Sequence, residues 1–186
     1  MIARILQGRR DDYAILVEKY KKPIFNLIYW LTGNRQDADD LAQETFLRAY
    51  VKLHRFDRQQ RFFPWLYAIC LNLTRSHLRK QKAPSTPIGM SDVGKREESP
   101  VSFSENNTEG NIIAQERLSS LRASLLQMNT EDREVIVLRY FDERSLEDIA
   151  EIAGITLSAA KMRLYRGLEK LKAILGKQEG YLSPRA

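Results

Sequence analysis

Apolar residues over the first eighty positions recur at intervals of three and four, the spacing that lines one side of a helix. From Asp11 or Asp12 the run Ala14, Leu16, Val17, Tyr20, Ile24, Leu27, Ile28 and Leu31 predicts a long helix, interrupted by Pro23 and ended by Gly33. Asn34 is placed to cap a second helix, in which Ala38, Leu41, Ala42, Thr45, Phe46, Ala49, Tyr50 and Leu53 form a broad apolar band. Asp37, Asp39 and Asp40 crowd its first turn, where acids complement the helix dipole. A polar, basic loop between aromatics follows, from Phe56 to Trp65, and Pro64 suits the first turn of a third helix. That helix would turn Leu66, Ile69, Leu73 and Leu78 inward and leave Asn72, Arg75, Arg79, Lys80 and Lys82 outside. Phe62, Phe63 and Trp65 read more readily as core anchors than as stacking platforms for bases, whereas the loop from Arg58 to Arg61 is free for contact.

The periodicity stops at Gln81. Between Gln81 and Asn111 come Pro84, Pro87, Pro100, Gly89, Gly94 and Gly110 among many Ser, Thr and Asn, the composition of a linker. Helical patterning returns further on and is sharpest from Ser145 to Leu175. Ser145 with Asp148 three residues on resembles a capping box, Ile149, Ala150 and Ala153 give one apolar stripe, and Gly154 suits the turn that ends the helix. Thr156 can cap the next, whose stripe is Leu157, Ala160, Leu164, Leu168, Leu171 and Leu175. At about 100° per residue, Ser158, Ala159, Met162 and Arg166 point away from that stripe, Arg163 and Tyr165 flank them, and Lys161 lies nearer the buried edge. This is a helix-turn-helix whose second helix fits a DNA major groove, with N-terminal residues toward base edges and Arg and Lys toward phosphates. An ordinary helical hairpin with a solvated basic face is the alternative.

Charge favours the DNA reading. Lys161, Arg163, Arg166, Lys170 and Lys172 are answered only by Glu169, while Glu131 to Glu151 is predominantly acidic. The net charge of +6 over 186 residues suits a polyanionic partner, though charge alone says little. No stretch approaches the roughly 18 apolar residues of a membrane span. No apolar segment with a small-residue cleavage site follows Arg4, Arg9 and Arg10, and Cys70 is the single cysteine, so the expected location is the cytoplasm. Enzymatic chemistry finds no support. His54, His77 and Cys70 lack metal-ligand spacing, no phosphate-binding glycine loop is present, and the carboxylates gather at helix starts. No metal, cofactor or small-molecule substrate is expected. The expected fold is all-α: two small helical domains, 1–80 and 117–178, joined by a flexible linker over 81–116 and followed by a tail at 179–186.

The two halves together resemble the extracytoplasmic-function (group IV) sigma factors of the sigma-70 class. Asp37-Ala38-Asp39-Asp40-Leu41-Ala42-Gln43-Glu44-Thr45-Phe46-Leu47-Arg48-Ala49-Tyr50 looks like the core-binding helix of sigma region 2, and Phe63-Pro64-Trp65-Leu66-Tyr67-Ala68-Ile69 through Asn72 like its promoter-melting helix. Arg133 to Tyr140, Ser145 to Gly154 and Lys161 to Arg166 look like region 4. The resemblance implies that Asp37, Asp39, Asp40, Leu41, Gln43, Glu44, Phe46 and Leu47 bind core RNA polymerase at its clamp. It implies that Arg58, Gln59, Gln60, Arg61, Asn72, Arg75 and Arg79 serve the −10 promoter element, and that Ser158, Lys161, Met162, Arg163, Tyr165 and Arg166 serve the −35 element. It also implies a region 4 contact with the polymerase flap, a linker threading toward the RNA exit channel, and sequestration by an anti-sigma factor, often membrane-anchored. Three departures stand out: Ser158-Ala159-Ala160 replaces Gly-Thr-Val, Gly167-Leu168 replaces a small residue and Arg, and Thr130 stands where a proline is usual and can cap instead. A polymerase-independent repressor or activator is the rival reading, with the first block as a dimerisation or ligand module; it has no need of an acidic helix followed by a basic loop between aromatics.

Overall fold

Several helix boundaries have a local chemical cause. In a computed structural model, described over residues 2–82 and 109–182, the first half comprises α1 (Ile2–Leu6), α2 (Arg10–Thr32), α3 (Arg35–Lys52), a 3-10 turn (Leu53–Arg55) and α4 (Phe62–Lys82). The second comprises α5 (Glu109–Leu126), α6 (Thr130–Tyr140), α7 (Leu146–Ala153) and α8 (Leu157–Leu182). Gly33 closes α2 in the left-handed region at φ 72° and donates its N–H to Tyr29 O, and the Asn34 side chain then accepts from Asp37 N to start α3. Ser145 and Gly154, at φ 67°, do the same at the two ends of α7. Thr156 Oγ1 accepts from Ala159 N at 3.1 Å. At α6 the cap is Asn129, which accepts from Asp132 N; Thr130, expected to cap, is instead the first helical residue. Pro23 does not break α2, which runs through it: the carbonyl left without its donor is that of Lys19, an exposed residue where water can serve it. The linker is shorter than its composition suggests, because α4 continues to Lys82 and α5 begins at Glu109; the tail is likewise shortened, with α8 reaching Leu182. The rest of the linker lies outside the described residues.

Helices α2, α3 and α4 enclose Ile24, Leu27, Ile28, Leu31, Phe46, Leu66, Tyr67 and Leu71. The α3 positions facing them include Ala38, Ala42 and Ala49, small enough to bring the helices close. In the second half Leu125, Val135, Ile136, Leu138, Ile149, Ile152, Ala160 and Leu164 belong to the same continuous apolar cluster. The halves therefore share a core. Trp30 of α2 lies 4.0 Å, centroid to centroid, from Phe141 just after α6, and the Arg122 guanidinium sits 4.5 Å from the Tyr29 ring. Among the described residues no helix is long and apolar enough to cross a membrane.

One buried carboxylate sets the position of α8. Asp132, with 0 % exposure in the first turn of α6, accepts from the Arg166 guanidinium and from Lys170 Nζ at 2.8 Å. Gly167, between those cations, lies against α6: a Cβ there would lie 3.0 Å from Ile136 Cδ1 and 3.4 Å from Asp132 Cβ, so a side chain would crowd the crossing. The helix-propensity loss of about 1 kcal/mol for an interior glycine is the cost of that close crossing. Burial alone would raise the Asp132 pKa, but the ionic hydrogen bonds from Arg166 and Lys170, with that from Asn129, outweigh it and hold the carboxyl below its ordinary value of 3.8.

Two expectations follow from this crossing. Gly167→Leu should destabilise the fold by about 1–3 kcal/mol through overpacking against Ile136, read by urea denaturation. The ionic contribution of Asp132 is present above pH 3.8 and is lost as pH falls through its depressed folded-state value. The stability difference between wild type and Asp132→Asn should accordingly be largest at pH 7 and shrink towards pH 3, and a gap independent of pH would show that the brace is not ionic.

Candidate nucleic-acid and polymerase interfaces

The helical period of α3 sorts its residues between two surfaces. Ala38, Ala42, Thr45, Phe46 and Ala49 face inward, whereas Asp39, Asp40, Gln43 and Leu47 are exposed and Leu41 and Glu44 are half-buried. Phe46 is thus a core residue and cannot meet a partner; its carbonyl accepts from Tyr13 Oη at 2.5 Å. Asp37 is turned toward α4, where Gln81 Nε2 donates to it at 3.2 Å and His77 Nε2 lies 3.2 Å away, so it ties the start of α3 to the end of α4. The outward face adds a residue that the sequence reading missed: Val51, 68 % exposed, stands one turn beyond Leu47 at 63 %. Two large apolar side chains, with Glu44 one turn before Leu47, form a surface suited to a protein partner.

The loop before α4 leaves Arg58, Gln59 and Gln60 exposed, with Asp57 Oδ1 accepting from Gln59 N at 3.0 Å. The aromatics beside it divide. Phe62 packs with Phe56, Trp65 and Tyr20 at centroid distances of 5.6, 5.6 and 5.9 Å, which makes Phe62 and Trp65 the anchors expected of them. Phe63 faces the other half of the chain. The Arg144 guanidinium lies 4.4 Å from its ring and 5.2 Å from that of Tyr67, a cation on aromatic faces. Arg144 Nη2 donates to Tyr67 Oη at 3.2 Å and its Nε to Asp142 Oδ2 at 2.5 Å. Burial, and next Asp142, push the Tyr67 hydroxyl pKa upward.

The cations of this surface are engaged too. Arg61 Nη1 meets Asp148 Oδ1 at 2.6 Å and its Nη2 meets Glu151 Oε2 at 2.5 Å, both acids on α7. Burial would raise the Asp148 pKa, but the Arg61 and Ser145 hydrogen bonds prevail and hold it low. Arg75 forms a bidentate pair with Glu134 of α6, at 2.8 and 2.6 Å. Asn72 and Arg79 are exposed on the rim of a cleft of about 620 Å³, lined also by Arg75, Lys82, Glu131, Glu134 and Arg163. The engaged acids were visible in the sequence only as an acidic stretch opposite in sign to its neighbours; Arg144 gave no signal, because its partners are distant in the chain.

On α8 the capped turn leaves Ser158, Lys161, Met162 and Tyr165 outward, with Met162 and Tyr165 69 % and 68 % exposed. Lys161 is more exposed than its helical position suggested, and Arg163, half-buried, faces the cleft. Arg166 is committed to Asp132 through Nε and Nη2.

Comparison with known proteins accounts for this division of surfaces. Residues 16–83 match the Sigma-70 region 2 family and residues 118–171 the Sigma-70 region 4 family. The chain is 35 % identical over 176 residues to the ECF RNA polymerase sigma factor SigW of Bacillus subtilis, covering 92 % of each protein. It is 27 % identical over 177 residues to the RNA polymerase sigma-H factor of Pseudomonas aeruginosa, covering 94 % of this chain and 92 % of that one. Its fold resembles that of CnrH, solved in complex with the cytosolic domain of CnrY, with a TM-score of 0.69 at 23 % identity over 95 % of both chains. It also resembles the sigma factor RpoE of Bartonella quintana, solved with the anti-sigma factor NepR, with a TM-score of 0.66 at 22 % identity over 89 % of this chain and 97 % of that one. A region 2 block, a region 4 block and a relative matched along nearly the whole length lead to one conclusion: the chain belongs to the extracytoplasmic-function sigma factors of the sigma-70 class.

Proposed function

We propose that this sigma factor binds core RNA polymerase through the outer face of α3, opens the −10 element with the 58–61 loop and α4, and reads the −35 element with α8. The observation that carries the proposal is the outward face of α8: after a turn capped at Ser145, Gly154 and Thr156, the helix presents Ser158, Lys161, Met162 and Tyr165 to solvent together. Apolar side chains of that size would be costly to leave out without a use, and a major groove offers thymine methyls and base edges to such a set. Lys161 neutralises phosphate, Arg163 joins it once the cleft opens, and Arg166 reaches DNA only with the N–H groups that Asp132 leaves over.

On region 2 the docking set narrows to Asp39, Asp40, Gln43, Glu44 and Leu47, extended by Val51 and edged by Leu41. The clamp of polymerase would supply a basic, partly apolar counterpart. At −10, extruding a base costs a few kcal/mol of stacking and pairing, which contacts from Arg58, Gln59, Gln60 and Arg61 offset while Asn72, Arg75 and Arg79 hold the strand. Region 4 would also touch the polymerase flap. Control by an anti-sigma factor is supported by the similar fold of the sigma factor RpoE, which was solved with the anti-sigma factor NepR. A repressor or activator acting without polymerase is set aside, since region 2 would have no use there. The site of action is the cytoplasm, where polymerase and promoter are found together.

Titration of the full-length chain into sigma-free core polymerase, followed by run-off transcription, should show tight binding and discrete new starts. Asp40→Arg with Glu44→Arg should weaken core binding at least about tenfold, since like charges at a contact cost more than 1.4 kcal/mol, while DNA binding by α8 persists. Unchanged core affinity would place the docking face elsewhere. Lys161→Ala, measured in the holoenzyme, should weaken promoter binding across sequences and reduce the salt slope by about one, the signature of a phosphate contact; a change confined to one base position would instead make Lys161 a base reader.

A further inference from the structure

On the outward side of α8, Arg166 stands one turn beyond Met162 and beside Tyr165, with half of its side chain in solvent. A guanidinium carries five N–H donors in one plane. Asp132 takes one edge of that plane: Nε donates to Oδ1 and Oδ2 at 3.1 and 3.0 Å, and Nη2 donates to Oδ1. The neighbouring edge, made by Nη1 and the second N–H of Nη2, has no partner among the described residues. It offers two parallel donors, the pattern that matches guanine O6 and N7 in a major groove. Asp132 itself cannot swing. It is fully buried, its own N–H goes to Asn129 Oδ1 at 2.9 Å, and Lys170 Nζ holds Oδ2 at 2.8 Å. The cap of α6 thus fixes the carboxylate, the carboxylate fixes the guanidinium plane, and the plane fixes where the free edge points.

We propose that Asp132 is a positioning residue for promoter recognition, which aims the free edge of Arg166 at a guanine of the −35 element. This deepens the −35 reading of α8 given above and rests on it. An unrestrained arginine on a helix surface has many rotamers and is drawn to phosphate, which is the same at every base pair. The pair with Asp132 changes both terms. The rotamer is set before DNA arrives, so its freedom is not lost on binding, and the carboxylate offsets the charge, so phosphate gains less from approaching. What is left favours the bidentate base contact over the backbone. A lysine at this position would not serve, since an ammonium is a point charge without a fork. The helix thereby divides its cations: Lys161, exposed and without an ion pair among the described residues, is free for phosphate, whereas Arg166 is reserved for a base edge.

The test measures binding of the holoenzyme, the full chain with core polymerase, to promoters in which every −35 position carries each base pair in turn, over a range of salt concentrations. Wild type should prefer guanine at one position by about fivefold or more, the lower end of what a bidentate arginine–guanine contact supplies. Arg166→Lys and Arg166→Ala should both abolish that preference. Asp132→Asn should cut it by about threefold or more and raise the salt slope by about one, because the released guanidinium turns to phosphate. Asp132→Ala, which sets no amide donor against Lys170, should do the same, and either variant carries the comparison if the other does not fold. Lys170→Met loosens the same crossing of α6 and α8 but keeps the Asp132–Arg166 pair, so it should retain the preference. In an Arg166→Ala background, Asp132→Asn should alter the base profile no further. A uniform loss of affinity in the Asp132 variants, with the guanine preference intact, would make Asp132 a structural brace and overturn the proposal. Base preferences at −35 that survive Arg166→Ala unchanged would overturn it too, and leave the reading by α8 standing. Indifference of the wild-type holoenzyme to every −35 base would instead overturn that reading.

Discussion

A carboxylate at 1 % exposure needs a counter-charge, and Glu134 finds its partner, Arg75, in the other half of the chain. Removing two charges from water is expensive, and only short, paired hydrogen bonds return that cost. Either α4 and α6 face one another or Glu134 must regain water. The packing of the two halves therefore has few intermediate positions, and the same constraint recurs on a smaller scale at Arg61, where two acids of α7 converge on one guanidinium. The cations that would meet promoter phosphate are served by acids in its absence, which keeps a basic surface from standing uncompensated against a neighbouring helix.

Apolar packing makes the same contact broad. One core cluster runs from Ile24 and Leu66 in region 2 to Ile149 and Leu164 in region 4, with Trp30 against Phe141 at the crossing of α2 and α6. The two family blocks are here a single folded body. Its interface carries a tilted aromatic contact, cation–aromatic contacts and ion pairs, so that charge and shape must match together.

Within region 4 the reading helix is held from behind. Asp132 fixes Arg166 and Lys170, and Gly167 lets α8 cross α6 closely, which leaves Met162 and Tyr165 facing outward on a rigid support. The glycine that looked unfavourable as a helix residue suits the close crossing.

Much of this protein was determined by sequence alone, because its signals are local. The caps at Asn34 and Ser145, the left-handed glycines 33 and 154 and the three-to-four spacing of apolar residues depend on neighbours within one or two turns. The all-α class, the helix-turn-helix, the exposure of Ser158 and Met162 on α8 and the family resemblance followed from them. Only the tertiary structure decided the rest. Phe46 lay on the apolar band and among the docking residues alike until α2 covered it; Phe63 parted from Phe62 and Trp65 because the two sides of α4 meet different neighbours. Arg61, Arg75 and Arg166 kept their charge but acquired acids 34 to 90 positions away as partners. Pairing across such separations depends on how two helical units pack, and no periodicity along a chain encodes that relation.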